Sequence, residues 1–390
     1  MTPARKVLLL ALAFPPQAVG SGTYAHRLAL GLQGKGAEVL VLAPADPAGR
    51  DAGFDRAQPY ATRRLRLRGP APWRYWQARR ALRRGLRDFA PDSLWTTNGM
   101  ATRVAGSLPG RELAAAALVS CMRGSDIVGL SAASPGGRAQ LRCYRRSRAI
   151  AAASAFLKGV AVAKGVEGGR IFVNPSGFDF SQTEDYRFDA GRLARAFPAL
   201  GGRPYILGVA RLTRQKRVGL TVEAFARLAD RHPDLCYAVA GDGPQEEELS
   251  RQVEAAGLRG RVLLLGRVEP MSTELFDLYG GARAFVMAGV GEGLPNVFIE
   301  ASAFGLPCVG VRDGGTPEIV VDGENGLLAG VDDAASLASC IERLAGDGDG
   351  AGEMGRRARV LARERFSAEA LAERSYEVLV RVTEENRGDG

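Results

Sequence analysis

Histidine is almost missing from this chain: among 390 residues there are only His26 and His232. So few imidazoles argue against a Ser-His-Asp hydrolase and against a multi-histidine metal site. The five cysteines (Cys121, Cys143, Cys236, Cys308, Cys340) are scattered and odd in number. That speaks against a disulfide framework or a zinc site and for a reducing cytoplasm. Long hydrophobic runs are missing too; no segment approaches the roughly 18 apolar residues that would span a bilayer. The opening MTPARKVLLLALAF could pass for a signal peptide. Its apolar run is short, Pro15 and Pro16 end it, and no small-residue cleavage site follows. It reads better as a first buried strand. No short internal repeat or low-complexity tract occurs, and GDGDGAG (346–352) reads as a solvated turn.

What is present suits two domains of ordinary size, with 46% apolar and 24% charged residues. Charge is divided unequally. Residues 1–200 carry 30 Lys and Arg against 13 Asp and Glu, and the remainder 22 against 30. A basic first half and a mildly acidic second half imply different partners.

Short Val/Ile/Leu/Ala runs alternate with helix-length segments. Strands are expected at 6–14, 38–44, 93–97, 115–121, 149–154 and 170–176, then at 204–210, 235–241, 261–266, 283–288 and 307–311. In the second half, helices are expected at 218–231, 244–257, 271–281 and 295–305. Such runs mark parallel sheets covered on both faces. The domains expected are 1–180 and 190–365, with a C-terminal helix at 366–390 packing back towards the first.

In open α/β sheets ligands bind beyond the carboxyl ends of strands. Arg211 and Lys216 follow the strand 204–210, and two cations there suit a diphosphate. Gly241-Asp242-Gly243-Pro244 makes a tight strand-to-helix turn, which could be no more than that. The most informative stretch is AGVGEGLPNVFIEASAFGLP. Gly289, Gly291 and Gly293 permit close backbone approach, and Pro295 suits the first helical position. Free amides around Leu294, Pro295, Asn296 and Val297 would favour phosphate or sugar oxygens. Glu292 and Glu300 make sense beside a diphosphate if they accept hydrogen bonds from sugar and ribose hydroxyls.

Arg211…Lys216, Gly241-Asp-Gly-Pro244, Glu292-Gly-Leu-Pro-Asn-Val-Phe-Ile-Glu300 and Gly314-Gly-Thr-Pro-Glu318 resemble, in order and spacing, the family 4 glycosyltransferases. The resemblance implies an α/β GT-B fold, two Rossmann-like βαβ domains with a cleft between them. It also implies retaining transfer of a hexose-type sugar from a UDP- or GDP-sugar to a hydroxyl. Arg211 and Lys216 would hold the diphosphate, Glu300 the ribose and Glu292 the transferred sugar. The backbone around Gly266, Arg267 and Val268 would lie against the base. No cofactor and no metal are expected; the donor is a co-substrate. Asp347-Gly-Asp349 reads as surface.

The amino half resembles the family more loosely, with Gly20 and Gly22 placed near the sugar phosphate. Gly20-Ser-Gly22-Thr-Tyr-Ala25 also fits a dinucleotide fingerprint, but residues 15–19 separate it from its strand and Glu38 precedes the second strand. His26 reads as a packing or helix-surface residue. Where many family members have a His in a segment like HGSD, this chain has Arg123 in Met-Arg-Gly-Ser-Asp126. A permanent cation cannot act as a base. It could bind an anion, or it could pair with Asp126. Asn98 is a second acceptor-side candidate, or the start of a turn.

From Thr62 to Arg87 there are ten arginines and no acid, with Trp73, Tyr75 and Trp76 interleaved. Five more arginines lie between Arg138 and Arg148. A basic, aromatic-studded segment suits an anionic membrane surface, and equally a solvated arginine-rich face. No nucleic-acid fold signature accompanies it. The expected acceptor is a glycan, a lipid-linked or a small molecule, and the expected place is the cytoplasm, peripheral to the inner membrane face. The alternatives are a nucleotide-sugar epimerase or phosphorylase on the same fold, or a non-catalytic nucleotide-sugar-binding protein, which only Arg123 favours.

Overall fold

The apolar run that opens the chain becomes the central strand of a parallel sheet. The computed structural model describes residues 5–16, 20–114, 116–346 and 348–388. It divides into two compact units, one holding the residues up to Gly177 together with those from Ala368 onward, the other Phe178–Ser367.

The first unit contains β1 (Lys6–Leu10), β2 (Glu38–Pro44), β3 (Ala61–Leu65), β4 (Ser93–Thr96), β5 (Ala117–Met122), β6 (Ala149–Ala152) and β7 (Ile171–Val173). Their order is β3-β2-β1-β4-β5-β6-β7, and every pairing is parallel. Successive side chains of β1 point to opposite faces, and both faces are covered. Val7 and Leu9 pack with Tyr24 and Leu28 of the helix Gly20–Gly34 and with Leu371 and Leu379 of the helix Ala368–Gly388. Leu8 and Leu10 pack on the other side with Leu82 and Val104, from the helices Ala71–Phe89 and Gly99–Gly106. At Gly31 an added Cβ would lie 2.7 Å from the Ala372 Cβ, so the first helix and the C-terminal helix meet on a small residue.

The arginine-rich stretch does not form one amphipathic segment. Its start is the edge strand β3, and the helix begins only at Ala71. Arg64 is largely buried: it pairs with Asp55 at 2.7 Å, donates to the carbonyls of Pro44 and Pro15, and lies over the rings of Phe14 and Phe54. At least one arginine of the run is thus a structural cross-link rather than a free cation.

The second unit contains β8 (Tyr205–Val209), β9 (Cys236–Ala240), β10 (Val262–Leu264), β11 (Ala284–Val286), β12 (Cys308–Val311) and β13 (Gly326–Ala329). Their order is β10-β9-β8-β11-β12-β13, again all parallel. The order reverses between β8 and β11, so the loops leaving these two strands flank a topological switch point, where such sheets bind ligands. The helices Val218–Ala226, Glu246–Ala255, Thr273–Gly281 and Asn296–Ala303 follow their strands. The described residues of the glycine-rich 346–352 stretch are helical rather than a solvated turn. The helix Ala334–Gly346 leads into a second helix, Gly348–Phe366, which carries Asp349 in its first turn. Asp347 lies outside the described residues. Among the described residues no helix is long and apolar enough to cross a membrane.

Candidate active site

Three loops at the switch point of the second unit are laced together by their backbones. The loop leaving β8 carries Arg211 and then a 3-10 turn, Arg214–Lys216. Arg217 takes a left-handed conformation (φ 50°) that turns the chain into the next helix. The loop leaving β11 meets this turn directly: Val290 N donates to the Gln215 carbonyl at 3.0 Å. Across that contact Lys216 Nζ stands 3.0 Å from Glu292 Oε1, with both side chains mostly buried. The approach is ionic rather than an aligned hydrogen bond, and Glu292 Oε1 has no hydrogen-bond partner. The Arg211 guanidinium is exposed and has no partner among the described residues.

The loop leaving β12 holds the Glu292 segment from the other side. Gly291 N donates to Asp313 Oδ2 at 2.5 Å, and Gly315 N donates to the Glu292 carbonyl at 2.8 Å. A Cβ at Gly314 (φ 58°) would sit 2.4 Å from the Glu292 oxygen, and one at Gly315 2.2 Å from the Gly293 oxygen. Only glycines let these loops close to hydrogen-bonding distance.

The helix Asn296–Ala303 begins here, with Pro295 at its cap and no side-chain capping bond. Phe298 N is bonded to the Pro295 carbonyl at 3.0 Å. The Asn296 and Val297 amides ahead of it have no partner among the described residues, and the Asn296 Oδ1 is buried without one. Leu294 is buried. Within the helix, Glu300 Oε2 accepts a hydrogen bond from Tyr279 Oη at 3.1 Å. Tyr279 is buried and stacked on Phe304 at 5.2 Å. Burial first, and then the Glu300 carboxylate, hold its hydroxyl well above the ordinary tyrosine pKa, so it stays a donor.

Gly241 and Gly243 acquire a steric reason inside the protein. Added Cβ atoms would come within 1.9 Å of the Ala210 oxygen and 2.5 Å of the Leu212 oxygen. Leu212 N bonds the Asp242 carbonyl, and Gly241 N bonds that of Gly266. These glycines therefore fix the peptide on either side of Arg211. Arg267 is exposed and pairs with Glu269 at 3.1 Å, while Val268 is half-buried.

In the first unit Arg123 and Asn98 each have partners within the unit. The Arg123 guanidinium does not pair with Asp126. It lies 3.7 Å from the Tyr24 ring centroid and donates to the Asn174 carbonyl at 3.1 Å and to Ser176 Oγ. Asp126 instead accepts from the main-chain amides of Arg123 and Gly124, closing the turn after β5. Asn98 caps the helix Gly99–Gly106, its Oδ1 accepting from Ala101 N at 2.9 Å. Gly20 opens its helix in free space, whereas a Cβ at Gly22 would reach the Phe14 backbone at 3.1 Å. Residues 17–19 lie outside the described residues. His26 sits among Phe14, Phe54 and Tyr60, with Nδ1 2.5 Å from Tyr60 Oη.

Each unit matches a family model of its own. Residues 192–361 match "Glycosyl transferases group 1", and residues 19–177 match "Glycosyl transferase 4-like domain". The chain belongs to the family 4, group 1 glycosyltransferases. Among curated relatives, this glycosyltransferase is 33% identical over 174 residues to the GDP-mannose-dependent alpha-(1-6)-phosphatidylinositol monomannoside mannosyltransferase of Mycolicibacterium smegmatis, covering 43% of this chain and 45% of the relative. It is 34% identical over 189 residues to the alpha-maltose-1-phosphate synthase of the same organism, covering 46% and 49%. The matched segments thus span about half the length of these relatives. Among solved structures, HepE of Anabaena in complex with UDP-glucose superposes with a TM-score of 0.77 at 20% identity, over 96% of this chain and 99% of that one. That likeness concerns the fold, and the fold class is the expected α/β, GT-B type with two Rossmann-like domains.

Two features of this glycosyltransferase's site escape a reading of the sequence. Tyr279 sits in a helix as an ordinary core aromatic, and nothing in LFDLYGG marks its hydroxyl as reaching Glu300. Asp313 follows a strand and resembles any turn acid. The signal available was the glycine pair behind it, because Gly314 and Gly315 both demand close backbone approach.

Proposed function

We propose that this glycosyltransferase moves a hexose-type sugar from a UDP- or GDP-sugar to a hydroxyl acceptor with retention of anomeric configuration. The observation that carries the reading is the Lys216–Glu292 pair at 3.0 Å at the switch point. A cation suited to diphosphate and a carboxylate suited to sugar hydroxyls are held together there, with one carboxylate oxygen lacking a hydrogen bond. Lys216, the unpartnered Arg211 and the open amides of Asn296 and Val297 stabilise the leaving diphosphate without a metal. Glu300, oriented by Tyr279, takes the ribose hydroxyls, and Glu292 takes those of the sugar. The departing phosphate oxygen accepts the acceptor's proton on the same face. The relatives support either nucleotide, one being named for GDP-mannose and a structural neighbour holding UDP-glucose.

The acceptor is lipid-linked, or otherwise a glycan or small glycoside, received by the first unit at an anionic membrane surface. Support comes from the helix Ala71–Phe89, where Trp73 and Trp76 are stacked at 4.9 Å yet exposed, and Arg80 lies over Trp76. Beside it is an apolar pocket of about 410 Å³ lined by Leu12, Leu65, Leu67, Tyr75, Met100 and Val104. The test is to screen UDP- and GDP-sugars for thermal stabilisation, and then to follow nucleotide release with candidate acceptors in EDTA. Product anomeric configuration is read by NMR. Absence of stabilisation by any of these donors, or an inverted product, would overturn the reading.

A further inference from the structure

The Asp313 carboxylate serves another loop than its own. An Asp followed by glycines ordinarily caps the turn it sits in. Here the Gly315 amide goes to the Glu292 carbonyl at 2.8 Å, and Asp313 Oδ2 crosses to the loop leaving β11, accepting from Gly291 N at 2.5 Å. Asp313 is half-buried and pairs with no cation among the described residues, the neighbouring Arg312 being engaged by Asp322. It is itself held: its N donates to the Val311 carbonyl at 2.8 Å, and its carbonyl accepts from the N of buried Thr316 at 3.2 Å.

Packing does not fix the loop at the point Asp313 reaches. Gly291 takes a left-handed conformation (φ 64°), and nothing lies within 4 Å of where its Cβ would be. Hydrogen bonds therefore choose the orientation of its peptide. Three act on consecutive residues: Val290 N to the Gln215 carbonyl, Gly291 N to Asp313, and Gly315 N to the Glu292 carbonyl. Asp313 supplies the one side chain among them, and a carboxylate accepting from an amide makes the strongest bond of the set. We propose that Asp313 is a positioning residue: by holding the Gly291 peptide it aims the Glu292 carboxylate towards Lys216 and the transferred sugar. The inference rests on the sugar-binding role proposed for Glu292.

A nucleotide sugar and its nucleoside diphosphate differ by the group that Glu292 would hold, so comparing their affinities separates positioning from general damage. The probes are UDP-glucose, UDP-N-acetylglucosamine and GDP-mannose, each beside UDP or GDP, titrated calorimetrically into the full chain. Asp313→Ala is expected to weaken the nucleotide sugar by about five- to tenfold and to leave the nucleoside diphosphate within about twofold. Asp313→Asn keeps an oxygen in the same place and stays close to the parent. Asp313→Glu keeps the charge, moves it by one methylene and behaves like the alanine variant; the Asn and Glu variants decide the matter if Asp313→Ala folds poorly. In a Glu292→Gln background the effect of Asp313→Ala disappears. Equal loss of sugar nucleotide and nucleoside diphosphate, a loss undiminished by Glu292→Gln, or no loss in Asp313→Ala and Asp313→Glu alike overturns the proposal and leaves the role of Glu292 standing. Parent-like nucleotide-sugar affinity in Glu292→Gln alone, or no binding of any of the three donors by the parent, removes the role proposed for Glu292 and this inference with it.

Discussion

Lys216 Nζ and Glu292 Oε1, 3.0 Å apart, join the loops leaving the two strands between which the second sheet reverses its order. The pair sets a cation and an acid at one point, and removing either leaves the other half-buried and uncompensated. Lys216→Ala should lower kcat by about a hundredfold or more while the circular dichroism spectrum is retained, the scale seen when one donor to a developing charge is lost. Glu292→Gln should raise the donor KM and lower kcat together. Near-normal rates in Lys216→Ala would remove the pair from the mechanism.

Tyr279 and Glu300 make a different kind of contact, because Tyr279 reaches the proposed ribose site only through Glu300. Tyr279→Phe keeps the stack on Phe304 and loses one hydrogen bond to a carboxylate. We expect the donor to bind about three- to tenfold more weakly with kcat little changed. Isothermal titration with the nucleoside diphosphate checks it. An unchanged Kd would show that Glu300 needs no such support.

Much of this arrangement was legible in the sequence, and the exceptions have physical causes. The buried strands β1, β2 and β8 announce themselves because both faces are apolar. β3 does not: as an edge strand its Ala-Thr-Arg-Arg-Leu pattern is half-exposed, and Arg64 looks like surface until its partners Asp51 and Asp55 fold beneath it. β13 has only four residues, and the glycine that begins it, with Gly323 just before, hides it from a periodicity argument. Lys216 and Glu292 could be picked out by residue type and position, but their meeting depends on Val290 bonding the Gln215 carbonyl. Arg123 was the hardest to read, since its partners Tyr24, Asn174 and Ser176 are remote in sequence.

Gly314 is constrained by both its left-handed backbone and the Glu292 oxygen 2.4 Å from a would-be Cβ. Gly314→Ala should cost about 1–3 kcal/mol, because both strain and contact oppose it. Differential scanning calorimetry should show a midpoint lower by about 2–10 °C. Turnover should fall further than stability alone explains, because the loop that moves is the one that positions Glu292. Gly20→Ala, which meets open space, is the matched control for stability.

His26 supplies a pH dependence. Burial first, and then the neighbouring Arg27, lower its pKa to about 4. The folded protein therefore holds the ring neutral where the unfolded chain would protonate it. Between the ordinary value near 6.5 and about 4 the unfolded state binds more protons, so stability falls as pH falls and levels off below that window. The loss is on the order of 2–3 kcal/mol across the window. Urea denaturation at pH 7, 5.5 and 4.5 should show it, and His26→Phe should flatten this part of the slope. The carboxylates Asp46 and Glu342, held low by Arg50 and Arg231, lose their share of stability only at more acid pH.

The exposed Trp73–Trp76 stack gives the membrane reading its sharpest test. Two large aromatic rings facing water beside Arg80 are unfavourable unless something apolar and anionic covers them. Vesicles of phosphatidylcholine with 30% phosphatidylglycerol should sediment the wild-type protein at low salt, with binding falling as salt is raised. Trp73→Ala combined with Trp76→Ala should reduce binding by about tenfold or more, leaving turnover on a water-soluble acceptor unchanged. Replacing Arg80 and Arg84 by Gln should weaken binding mainly through its salt dependence, each cation near the surface contributing about 1 kcal/mol. Equal sedimentation of the double-tryptophan variant and the wild type would leave the stack without a membrane role, and the arginine face would then be a solvated one.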